Sequence, residues 1–251
     1  MTTKITENEY LGGRVRIRQP AKGYRAGVDP VLLAASIPVQ AGQSVLELGL
    51  GVGTAALCLS ARVADLKLTG VEIQTEYAAL ARENALLNNA QLSVIEADLA
   101  HLPAALKQER FDHVIANPPY FDRTTGHRAG DQGRETAMGE ETPLGVWLDV
   151  AARRVAPRGF VTFIHRAERL QNLLSKMPEV LGSIEVQPLQ PRRERNAHLI
   201  LIRARHSGRA PLRLCAPIVM HTGDAHLEDK IDYTEQISSV LRDGSPLNFK
   251  G

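Results

Sequence analysis

Apolar residues recur along this chain in short blocks whose spacing switches between the two-residue period of strands and the 3.6-residue period of helices. The stretch 28–39, VDPVLLAASIPV, predicts a short helix with Pro30 in its first turn, where a missing N–H costs least. Residues 44–63 predict a strand, a glycine turn and a helix. The alternation then continues: a strand at 66–72, a helix at 75–89, a strand at 92–98, a short helix near 99–108 and a strand at 111–118. Strands alternating with helices at this spacing predict an α/β fold with a mostly parallel sheet and helices on both faces. Right-handed crossovers would gather the strand C-termini on one edge, bringing Glu47, Glu72, Asp98 and Asn117 to where open α/β sheets bind ligands.

The polar, glycine-containing stretch 122–141 has no period and reads as a long loop leaving that edge. Helices at 143–155 and 167–177 and strands at 159–165, 183–191 and 197–205 complete the sheet, and 216–221 and 233–243 read as a terminal strand and helix packed on it. The division expected is an N-terminal extension with a leading helix (1–40), a main domain (41–210) and the terminal strand and helix (211–251), with no linker between them.

Composition changes this picture little. The hydrophobic fraction of 43% and charged fraction of 23% exclude a disordered chain. No segment approaches the roughly 20 apolar residues that span a bilayer and no signal-type h-region opens the chain, so the expectation is a cytoplasmic protein with no membrane partner. Cys58 and Cys215 lack metal-ligand spacing and read as two reduced thiols. A net charge of +2 says little about nucleic acid, but arginines cluster at 14, 16 and 18, at 153, 154 and 158, at 192, 193 and 195, and at 203, 205 and 209. Such groups can neutralise phosphates, although many are solvated faces or helix ends.

Candidate chemistry sits at the strand ends. ELGLGVG, 47–53, has glycines at 49, 51 and 53, one residue away from the dinucleotide spacing G-x-G-x-x-G. A turn of this kind suits an adenosyl group with an amino-acid tail: Gly49, Gly51 and Gly53 let the backbone approach it, and Glu47 faces its ammonium or a water. Glu72, after the next strand, can accept both ribose hydroxyls, and Asp98 can accept from an adenine amine; either acid alone is more often a helix cap or surface charge.

The corner 117–120, NPPY, removes two N–H donors and fixes φ at Pro118 and Pro119, so the chain leaves its strand by one rigid route. The Asn117 side-chain oxygen and the Pro118 carbonyl can then accept from one planar amine, with Tyr120 as a stacking face. Two acceptors on such an amine stabilise the positive charge that develops when its nitrogen attacks a methyl sulfonium.

The glycine turn, the spaced acids and NPPY together resemble the class I S-adenosylmethionine-dependent methyltransferases, over about residues 24–205. That resemblance implies a Rossmann-like fold with an antiparallel strand near the end of the sheet and S-adenosylmethionine as cofactor. NPPY itself is similar to motifs of adenine-N6, guanine-N2 and release-factor glutamine methyltransferases. The flanks GYRAGVDPVLLAASIPV, RETAMGEE, NAHLILIRAR and APIVMH…YTEQISSVLRD resemble the bacterial tRNA adenine-N6 methyltransferase family acting on valine tRNA. The release-factor enzymes carry a separate helical N-terminal domain, whereas about 40 residues precede the glycine turn here, too few for a core of their own.

By that resemblance Asp29 and Arg25 stand at the methionine end of the cofactor, Asn117, Pro118, Pro119, Tyr120 and Phe121 clamp the base, and Arg134 admits the nucleic acid. The substrate implied is an RNA, with tRNA first; monomer and homodimer both remain open, and a non-catalytic binding protein on the same fold is the reading from another class.

Overall fold

The structure, a computed structural model, describes residues 4–122, 139–140, 142–223 and 232–250. The chain opens on a hairpin of β1 (Ile5–Tyr10) and β2 (Val15–Pro20), paired antiparallel from Ile5↔Pro20 to Tyr10↔Val15. In β2 the alternation places Val15 and Ile17 in the core and Arg16 and Arg18 outside. β1, ITENEY, buries no residue on either face, so no hydrophobic period marks it as a strand.

Helix α1 (Asp29–Ser36) leads to β3 (Ser44–Leu48), α2 (Thr54–Arg62), β4 (Lys67–Glu72), α3 (Thr75–Leu87), β5 (Leu92–Glu96), α4 (Ala104–Gln108) and β6 (Phe111–Ala116). Two short strands, β7 (Phe121–Asp122) and β8 (Gly139–Glu140), pair in parallel. Then follow α5 (Leu144–Arg154), β9 (Val155–Arg166), α6 (Leu170–Ser175), β10 (Leu181–Gln190), β11 (Leu199–His206), β12 (Arg213–Leu214), β13 (Ile218–Val219) and α7 (Glu235–Asp243). The helix expected at 167–177 is a 3-10 turn, Ala167–Arg169, running into α6. The terminal strand shortens to β13, which pairs parallel with β10. Most of the stretch expected as a loop at 122–141 lies outside the described residues, as does Arg134.

The main sheet runs β12-β10-β11-β9-β6-β3-β4-β5, with β13 also on β10. Strands β5, β4, β3, β6 and β9 are parallel, and β11 is antiparallel to both β9 and β10. β3 therefore has the chain's next parallel strand on one side and a later one on the other, the topological switch at which such sheets open a crevice.

Each sheet face carries its own core. Val45 and Ile115 pack with α1, α2, α3 and α7 on one face, while Leu46, Leu48, Val114 and Phe163 pack with α5 and Leu106 on the other. Glu47 lies between Leu46 and Leu48 in β3, so the two-residue period turns it to the face that Val45 and α2 occupy.

Candidate active site

A cavity of about 270 Å³ opens at the C-terminal edge of β3, β4 and β6. One wall is the turn between β3 and α2 together with the end of β4. Glu72 Oε2 accepts the Gly51 N–H at 2.7 Å and Oε1 accepts the Gln74 N–H at 2.9 Å, so one carboxylate ties the turn to the next loop. Burial pushes the Glu72 carboxyl up, against the backbone N–H groups that hold it down. Glu47 accepts the Ala56 N–H at 2.9 Å and is pushed up to about 8, by burial first and with the neighbouring Glu72 adding.

Gly49 and Gly51 both have positive φ, 66° and 56°. At Gly49 a Cβ would stand 2.4 Å from the Trp147 ring, so this glycine makes room for a tryptophan of α5, not only for a ligand. At Gly51 the nearest atom to a Cβ is on Tyr24 at 3.9 Å, leaving the backbone open to the cavity. Gly53, φ 87°, is the N-cap of α2 and does not line the cavity, whereas Thr54 and Ala55 in the first turn do.

The facing wall is Tyr24–Gly27, Asp29 and the NPPY corner. The Tyr120 hydroxyl donates to Asp29, and the ring lies beside His165, 5.5 Å between centroids, with the Arg166 guanidinium 5.4 Å from its centroid. Burial pushes both Asp29 and the Tyr120 hydroxyl up. Asn117 Nδ2 donates to the Tyr24 hydroxyl at 3.4 Å, and Asn117 Oδ1 is buried without a hydrogen-bond partner among the described residues. Thr54 Oγ1 is the other cavity-lining atom in that condition. Buried polar atoms rarely stay unpaired, so both are available to hydrogen-bond a group that enters the cavity.

Two residues assigned to the ligand have their side chains engaged elsewhere. Arg25 lines the cavity, but its guanidinium donates to Thr6 Oγ1, Pro20 O and Asn8 Oδ1 of the hairpin at 2.7, 3.0 and 2.9 Å. Asp98 caps the turn Leu99–His101, accepting the Ala100 N–H at 2.9 Å, and that bond first, then His101, holds its carboxyl below the usual range. Its neighbours Ala97 and Leu99 line the cavity. The side chain of Phe121 lies outside the described residues. Tyr24, Tyr77 and Trp147, absent from the sequence reading of the site, all line it. Trp147 carries the one available signal, as the chain's single tryptophan.

The arginine groups separate in the same way. Arg16 and Arg18 face Glu7 at 3.7 and 3.1 Å, and Arg14 donates to the Asp243 carbonyl. Arg154 is buried on the Leu106 carbonyl at 2.8 Å, Arg203 pairs with Glu185, and Arg192 pairs with Asp232. Arg193 and Arg195 are exposed and have no ion pair among the described residues. They sit between β10 and β11 on the cavity edge of the sheet, where Leu199 pairs with Arg166.

A mostly parallel sheet with one antiparallel strand, β11, and a ligand-sized cavity behind a glycine turn at the switch define the class I methyltransferase fold. Residues 26–137 match the family described as "Methyltransferase small domain". Among curated proteins the chain is similar to the tRNA1(Val) (adenine(37)-N6)-methyltransferase of Porphyromonas gingivalis, 32% identical over 64% of this chain and 66% of that one. It is similar also to the enzyme of that name from Haemophilus influenzae, 30% identical over 59% of this chain and 64% of that one. The match thus spans slightly less than two thirds of either relative.

Among solved structures, a predicted O-methyltransferase from Agrobacterium tumefaciens superposes with a TM-score of 0.72 at 24% identity, covering 88% of this chain and 98% of that one. A 16S rRNA N2 methyltransferase of Thermus thermophilus, solved with AdoMet and guanosine, superposes with a TM-score of 0.55 at 18% identity, covering 82% of this chain and 51% of that one. At these identities the likeness concerns the fold.

Proposed function

We propose that the protein is an S-adenosylmethionine-dependent N-methyltransferase that methylates the exocyclic N6 amine of an adenine in RNA, with tRNA as the substrate. The observation that carries this reading is Asn117 Oδ1, an unpaired buried acceptor in the cavity that also contains the glycine turn. Similarity to curated tRNA adenine-N6 methyltransferases supports the choice of amine. Residues 41–210 form the methyltransferase unit in this reading, with 1–40 and 211–251 packed around it.

The residues present fit the cofactor. Glu72 retains lone pairs for ribose hydroxyls beside its two backbone bonds. The first turn of α2, with its N–H groups and the unpaired Thr54 hydroxyl, suits a carboxylate, and Glu47 and Asp29 suit an ammonium. Asp98, at the rim, stands beside the adenine end. When bound, S-adenosylmethionine supplies a methyl group carried on a sulfonium.

The chain's own part is to hold the target amine. Asn117 Oδ1 and the Pro118 carbonyl accept its two hydrogens, and Tyr120 gives the base an aromatic neighbour. Acceptors placed before reaction stabilise the developing positive charge on nitrogen, a contribution of about 2.7–4 kcal/mol per well-placed group in comparable sites. The base must leave its stack to reach them, which costs least in a loop. Arg193 and Arg195, exposed on the same edge of the sheet, offer phosphate contacts.

The test is transfer of labelled methyl from S-adenosylmethionine to total tRNA, ribosomal RNA and a release factor. N6-methyladenosine in tRNA supports the reading; label in the release factor keeps the NPPY chemistry and replaces the substrate. RNA binding should weaken steeply with salt, and Arg193→Glu with Arg195→Glu should flatten that dependence. Binding insensitive to salt would sink the RNA substrate.

A further inference from the structure

Tyr24 touches both walls of the cavity. Its backbone oxygen accepts the Tyr77 hydroxyl at 3.2 Å, its ring is what a Cβ at Gly51 would meet first, at 3.9 Å, and its own hydroxyl accepts the Asn117 amide at 3.4 Å. The segment after it is fixed to the hairpin: Gln19 Oε1 accepts the Ala26 N–H at 2.9 Å, and the Tyr10 hydroxyl donates to the Ala26 carbonyl at 2.7 Å. Tyr24 is thus a side chain on a braced strap, reaching across to the NPPY corner.

The Asn117 amide needs such a partner. A half-turn about its last bond exchanges the oxygen for an NH₂ of nearly the same shape, replacing an acceptor by two donors. With Nδ2 held at Tyr24, Oδ1 is left free to accept. In the reversed orientation the donors of Asn117 would face the donors of a planar amine, and no hydrogen bond could form. The lone pairs of the Tyr24 hydroxyl oxygen are what meet Asn117 Nδ2.

We propose that Tyr24 is a positioning residue: its hydroxyl holds the Asn117 amide with Oδ1 turned to the acceptor amine, coupling the N-terminal hairpin to the chemistry. This rests on the N-methyltransferase reading above. The 3.4 Å separation is long for a hydrogen bond and should shorten when both ligands are present, as bonds in unliganded sites commonly do.

The test is Tyr24→Phe, which removes only the oxygen. Single-turnover methyl transfer into tRNA should slow on the order of 10-fold to 100-fold. Affinity for S-adenosylmethionine and Tm should stay close to wild type. The same substitution in an Asn117→Ala background should cost nothing further, because Tyr24 acts through Asn117; a full additional loss there overturns the proposal, as does an unchanged rate in the single variant.

A second measurement does not depend on the substrate. In the unliganded protein, the Asn117 amide proton that faces Tyr24 should exchange more slowly in wild type than in Tyr24→Phe, while the Trp147 indole N–H, bonded to the Thr142 carbonyl, stays protected in both. Unaltered Asn117 protection overturns the proposal whatever is methylated. If wild type labels no tRNA but the amide loses protection in Tyr24→Phe, the positioning stands and the substrate reading falls.

Discussion

The two walls of the cavity are built by different means. The wall of β3, the glycine turn and β4 closes over short stretches of chain, Glu47 to Ala56 and Glu72 to Gly51 and Gln74. The facing wall is tied by Asn117 to Tyr24 and Tyr120 to Asp29, pairs 93 and 91 residues apart in sequence, and by Arg25 to Thr6 and Asn8 of the hairpin. A strand, turn and helix can set the first wall almost alone. The second exists only when hairpin, strap and corner have come together, and it holds the unpaired acceptor. Binding and chemistry should therefore be separable by mutation.

The largest separation is expected at Asn117. Asn117→Ala should lower methyl transfer by about 10²-fold or more, the cost of losing one preorganised group, with S-adenosylmethionine affinity by calorimetry nearly unchanged. A comparable loss of cofactor affinity would merge the two walls into one unit. On the other wall, Gly49→Ala meets both a left-handed φ and the Trp147 ring at 2.4 Å. Left-handed strain of roughly 1–2 kcal/mol and overpacking of about 1–3 kcal/mol should show together as a marked fall in denaturation midpoint, partly relieved by Trp147→Phe. A midpoint within experimental scatter of wild type would mean that the turn adapts.

A smaller effect should follow Arg25→Ala, which loosens the strap from the hairpin. Exposed bonds of this kind contribute about 0.5–1.5 kcal/mol each, so slower transfer and a modest loss of Tm are expected, with the glycine-turn wall intact. Unchanged transfer would release the hairpin from any part in the site.

A separate effect, on stability and not on transfer, is a pH dependence at Glu47. The carboxyl sits at about 8 against an ordinary 4.5, so the native state keeps a proton that the unfolded chain gives up. Stability from this group consequently declines as pH rises between those two values. Glu47→Gln removes the slope: its Tm should gain on wild type toward pH 8 and above, and the gain should vanish near pH 4.5. A difference constant across that range would mean that Glu47 is ionised in the native state.

The parallel strands were legible because each is a short apolar run closed by a polar residue, and their α/β order leaves few topologies. NPPY was legible because two prolines constrain the backbone wherever they stand. β1 was not, since ITENEY exposes or half-buries every residue. Nor was the engagement of Arg25, because hydrogen bonds to Thr6 and Asn8 leave no periodic trace.

By itself, then, the sequence determined the sheet with its helices, the glycine turn, the acids at strand ends and the rigid corner, all consequences of local period and backbone restriction. Only the tertiary structure decided which polar groups were already satisfied. It spent Asp98 on a cap and most arginines on internal partners, placed Trp147 behind Gly49, and set Tyr24 against Asn117. The reason is physical: hydrogen-bond satisfaction depends on which atoms meet across the fold, and chain spacing carries no record of that.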